Sequence, residues 1–178
     1  TGNVSFAEAV ATAGESAVSG NITVSAGTAI TGAGKLQTGD ATITGAAVDA
    51  DTVTTGTIGL TAGTATSSGG IGLSHATNAP VIGTATGTAG DATNAGNINL
   101  SAIDEINRDA AGQALRVLIN APAGTGTPNP GELNIATTGA SGHVYITSAS
   151  SLRVGTLATA AGTSQTISIV TTGGSADL

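Results

Sequence analysis

The chain reads as an all-β protein, and within that class as a β-solenoid, a parallel β-helix. Three observations carry this reading. Strict alternation of aliphatic and small polar residues recurs along the chain, which is the pattern of strands with one buried face. Ala, Thr, Gly and Ser make up 107 of 178 residues, with one Phe, one Tyr and no Trp or Met, so a thick aromatic core is ruled out. A short phrase also keeps returning: GNITVSA at 20–26, GTIGLTA at 56–62, GNINLSA at 96–102, GELNIAT at 131–137 and GHVYITS at 142–148.

Taken in order, the alternation marks strands in NITVS, ATITG (41–45), DTVTT (51–55), TIGLT (57–61), NINLS, RVLIN (116–120), HVYIT, LRVGTL (152–157) and TISIVT (166–171). Gly-rich joints such as TGAG, SSGG and TGASG separate them. An antiparallel sandwich would carry aromatic bulk and Asn-Gly or Asp-Gly hairpins, and neither dipeptide occurs. A solenoid stacks short strands over a narrow core of Ala, Val, Ile, Leu, Ser and Thr. The phrase starts lie 36, 40, 35 and 11 residues apart. Gaps of 35–40 suit two turns of 18–20 residues, which predicts about nine turns and a rod on the order of 40 Å. The 11-residue gap suits successive faces of one turn.

Two stretches depart from this pattern. SFAEAVATAG (5–14) reads equally as a strand or as a short helix capping the N-terminal end, with Ser5 and Glu8 as a capping box and Gly14 as its stop. SAIDEINRDAAGQ (101–113) concentrates charge and reads as a short helix or polar excursion. PAGTGTPNPGE (122–132) holds three of the four prolines and reads as a loop between two halves of one domain spanning 1–178.

A net charge of −7 with four basic residues excludes phosphate-backbone recognition and attraction to anionic membranes. No apolar run approaches the roughly 18 residues of a membrane-spanning helix. Without cysteine there is no disulfide or thiolate metal site. No signal peptide is recognisable at TGNVSF, which reads as the start of a mature protein or of a piece of a longer one.

Candidate chemistry is sparse. His75 and His143 lack any nucleophile or metal motif and read as surface residues. Asp49 and Asp51 share one face of a strand and make a candidate calcium pair, since hard carboxylate oxygens suit that ion; the alternative is two solvated acids. Asp104 and Glu105 are adjacent, but aromatic sugar platforms are missing, and no enzyme is expected. GDAT occurs at 39–42 and 90–93, each copy with one carboxylate. Thr-x-Thr recurs at 42–44, 52–54, 64–66, 84–86 and 125–127, as in a hydroxyl array for ice, or simply as exposed strand residues. Asn3, Asn21 and Asn99 lie in N-x-[ST] sequons.

The phrases GNITVSA, GNINLSA and GHVYITSASSLRVGTLATAAGTSQTISI resemble the repeats of filamentous-haemagglutinin-type bacterial surface proteins. The resemblance runs from about residue 20 onward. It implies a right-handed parallel β-helix displayed outside the cell as an adhesin, with self-association or a host-surface ligand as partner. Only TPNPGEL (127–133) is similar to that family's export motif, so export is not carried over. ATAGESAVSG (11–20) is similar to the head repeats of trimeric autotransporter adhesins. Beside this stand a filament subunit of another β fold, exchanging residues 1–19 or 164–178 between copies, and the ice-binding array.

Overall fold

A computed structural model describes residues 4–5, 9–12, 16–45, 50–63, 67–74, 78, 80–106, 113–140, 142–160, 165–173 and 176–177. All described elements are strands, and every pairing between them is parallel. The expected β-solenoid is observed. Five faces follow one another around each wide turn. Face I stacks Val4–Ser5, Leu36–Gln37, Pro80–Ile82, Leu115–Ile119, Val144–Ser148 and Ile167–Thr171. Face II stacks Ala9–Thr12, Ala41–Thr44, Ala85–Gly87 and Ala123–Gly124. Face III stacks Ala17–Val18, Thr52–Thr54, Ala92–Asn94 and Thr127–Asn129. Face IV stacks Ile22–Ala26, Ile58–Ala62, Ile98–Ala102, Leu133–Thr137, Leu152–Thr159 and Ala176–Asp177. Face V pairs Ile30–Gly32 with Ile71–Leu73, and a single bridge joins Ile71 to Ile106.

The recurring phrase is the strand of face IV, met once per turn. Ile22, Ile58, Ile98 and Leu133 stack in one inward row, and Val24, Leu60, Leu100 and Ile135 in the next. A turn therefore takes 35–40 residues, not 18–20, because it rounds five short faces. Face IV has six levels rather than nine, which at the spacing of paired strands spans about 24 Å. GHVYITS lies on face I, so the 11-residue gap does carry the chain to another face.

The wide turns are pinched across the middle. Ser19, at the corner of faces III and IV, donates its hydroxyl to the Gly39 carbonyl, at the corner of faces I and II, at 2.7 Å. This polar waist separates two apolar rows. A large core of Ile, Leu and Val fills the lobe of faces I, IV and V. A small one, Ala17, Ala41, Ile43, Val53 and Ala85, fills the lobe of faces II and III. The small lobe stops after Thr127–Asn129. From Val144–Ser148 the chain crosses directly to Leu152–Thr159, so the last turns keep only the large lobe. Val144–Ser148 also merges two faces, pairing through Val144 with Ile106 of face V and through Ile146 with Leu115 of face I.

Two open readings are decided against the helix, and one expectation is corrected. The N-terminal stretch is not a capping helix: Ala9–Thr12 pairs in register with Ala41–Thr44, because one side of a sheet edge offers backbone partners that outweigh a weak helical pattern. Residues 101–106 are not helical either: Ile103 and Asp104 bend, and Ile106, fully buried, bridges both Ile71 and Val144; residues 107–112 lie outside the described set. The stretch 122–132 is not a loop throughout but supplies the last strands of faces II and III. Pro128 is tolerated because Thr127–Asn129 is an edge strand, where a missing N–H leaves no ladder bond broken.

Candidate functional site

The glycine of the recurring phrase fixes the corner between faces III and IV. A Cβ on Gly56 would fall on the Gly20 carbonyl oxygen, one on Gly96 on that of Gly56, and one on Gly131 on that of Gly96. The residues flanking each glycine tie the turns together. The Gly56 N–H donates to Ser19 Oγ and the Gly96 N–H to Thr55 Oγ1, both at 2.9 Å in buried surroundings. On the outer side, the Thr57 N–H donates to Asn21 Oδ1 at 2.7 Å and the Glu132 N–H to Asn97 Oδ1 at 2.9 Å. The corner of faces I and II repeats this device, with the Gly83 N–H on Thr38 Oγ1 and the Thr84 N–H on Asp40 Oδ1. At both corners a side chain of one turn accepts the backbone N–H of the next.

The predicted carboxylate pair is only half placed. Asp49 and His75 lie outside the described residues. Asp51 is half-buried, and its carbonyl accepts the Ala92 N–H at 2.8 Å. Pairing of Thr52 with Ala92 sets Asp51 in register with Asp91 on the next turn. Asp91, from the second GDAT, is 1% exposed. Its Oδ2 accepts the Thr88 N–H at 2.7 Å and the Thr88 hydroxyl at 3.0 Å, closing a turn through Gly90, whose φ is +101°. Its Oδ1 is buried with no partner among the described residues. The two GDAT copies offer one carboxylate each, and burial singles out the second, Asp40 of the first being exposed. Among the described residues no three metal-ligating side chains come together.

Two recesses lie beside residues of face IV. A notch of about 260 Å³ sits on top of the waist, where the turn narrows, lined by Ile119, Asn120, Ala121, Pro130, Leu152 and Arg153 among others. Arg153 Nε donates to Glu132 Oε1 at 3.3 Å beside it. Its floor suits a small apolar group. A trough of about 270 Å³ runs across face IV between Asn99, Asn134 and Thr61. Asn134 donates its amide to Asn99 Oδ1 at 3.0 Å, so an amide pair joins two turns at the edge of the trough.

The remaining candidates scatter. Asp104 and Glu105 flank a recess with Thr31 and Gly70 on face V. Of the Thr-x-Thr runs, 42–44 and 84–86 lie on face II and 52–54 on face III, while 64–66 lies outside the described residues. The sequon residues Asn21 and Asn99 are exposed beside or on face IV, and Asn3 lies outside the described residues. His143 stacks on Tyr145 with ring centroids 6.1 Å apart. Comparison with known proteins finds no matching family model, no similar curated protein and no similar solved structure.

Proposed function

We propose that the chain is a non-enzymatic structural or adhesive element of a bacterial or archaeal cell surface, acting outside the cell. The observation that carries this reading is the stacking of one phrase, in register, through four successive turns of face IV. Such a stack makes a stiff spacer whose outer positions offer hydroxyls and amides instead of reactive groups. The phrases that form it are those that resemble filamentous-haemagglutinin-type repeats, which supports the adhesin reading. Contact with a partner surface would run through the trough of Asn99 and Asn134 and the bend at Ile103 and Asp104.

The strand-exchange alternative draws less support. Ala9–Thr12, Ala17–Val18 and Ala176–Asp177 pair with neighbouring turns of their own chain. The ice-binding alternative asks for one flat threonine array, whereas Thr42, Thr44 and Thr86 stand on a different face from Thr52 and Thr54. Negative-stain electron microscopy over a concentration series, with and without calcium, tests the proposal. Isolated short rods are expected. Long filaments at low concentration would instead establish a self-assembling subunit, and thermal hysteresis at micromolar concentration an ice binder.

A further inference from the structure

We propose that His143 is a proton-sensitive latch between the last two turns of the solenoid. Its Nδ1 accepts the Thr166 N–H at 2.9 Å. The geometry is that of the corner devices, in which Asn21, Asn97 and Asp40 each accept a backbone N–H from the following turn. At this seam, however, the acceptor is an imidazole. Asn offers a carbonyl oxygen at any pH. An imidazole nitrogen offers a lone pair only while it carries no proton. Once Nδ1 is protonated, two N–H groups face each other and the bond is lost.

The surroundings give the protonated ring another place to turn. The bridge of Ile106 to Val144, together with the Ile106 N–H on the His143 carbonyl at 2.8 Å, sets Glu105 beside His143 on the preceding turn. Glu105, with Asp104 next to it, is the acidic charge at the register position beneath His143. Tyr145 stacks against it from its own strand. Among the described residues, the following turn presents the uncharged Gln165 and Thr166. Neutral His143 therefore binds upward to Thr166, and cationic His143 has its counter-charge below at Glu105. Ile167–Thr171 is the edge strand of face I, with Ile167 and Val170 exposed, so the latch sits where few other contacts hold the turn. Backbone bonds such as the Val144 N–H to the Thr166 carbonyl remain, so acid loosens this seam without unfolding the solenoid.

Amide hydrogen exchange of the intact chain at pH 8 and pH 5, expressed as protection relative to intrinsic rates, tests the latch. Protection across residues 166–172 should fall about three- to tenfold at the lower pH, the effect of one hydrogen bond. Protection of Ile58–Ala62 and Ile98–Ala102 should hold. His143→Asn should abolish the fall, because its carbonyl oxygen accepts at both pH values. Nitrogen NMR of the imidazole at pH 8 should show the Nε2–H tautomer. An equal fall in His143→Asn, no fall in the wild type, or an Nδ1–H tautomer would each overturn the proposal.

Discussion

Gly56, Gly96 and Gly131 are held to glycine by the carbonyl of the turn beneath, not by an unusual φ. Gly59, also within the phrase, carries no such demand. Gly59 sits in the middle of a face IV strand, and the nearest atom to a Cβ there is Thr23 Oγ1 at 4.0 Å. Gly96→Ala should cost about 1–3 kcal/mol by forcing backbones apart. Gly59→Ala should stay within about 0.5 kcal/mol. Chemical denaturation of the two variants separates them. Asp91 belongs to the same scale. Asp91→Ala removes both bonds to Thr88 and leaves that N–H without its acceptor, so a loss of about 1–3 kcal/mol is expected from the same measurement. The glycines and GDAT were visible in the sequence. Which glycine meets a backbone, and which aspartate is buried, depends on atoms some 35–45 residues away.

Strands on face IV are five residues or longer through most of the stack, and their alternation made them legible. All nine stretches marked by alternation are strands. Those on faces II and III run two to four residues, and apart from Ala41–Thr44 and Thr52–Thr54 they are too short to show a period. They exist because the strand below supplies a template. Thr127–Asn129 shows the converse requirement, since no later strand among the described residues covers it. An uncovered parallel edge invites another chain to pair, and a proline blunts it. Pro128→Val should restore a donor to that edge and raise self-association, seen as a concentration-dependent shift in sedimentation velocity. No change in sedimentation would show that the edge is protected by other means.

Across the whole molecule, the waist of Ser19 and Gly39 makes two lobes with unequal cores. Among the described residues, the large lobe runs through all six levels of face IV; the small one has four levels and five residues in its buried cluster. Stability in stacked architectures is a sum over units and their interfaces, so the lobes should respond separately. Leu100→Ala should lower global stability by about 2–5 kcal/mol. Val53→Ala should chiefly speed amide exchange on faces II and III, leaving face IV protected. Uniform loss of protection in both variants would mean that the two lobes unfold as one.

The sequence by itself determined the class: period-2 alternation, small side chains and recurring glycines leave a solenoid as the fold that buries enough apolar surface with so little bulk. It also determined the residues of face IV and the low charge of the exterior. Only the tertiary structure decided how many residues make a turn, where the turn is pinched, and where it narrows. The physical reason is that parallel stacking joins positions through contacts between turns. A two-residue strand, a buried threonine or a histidine standing in an asparagine's place has no local signature until the turn beneath it is in position.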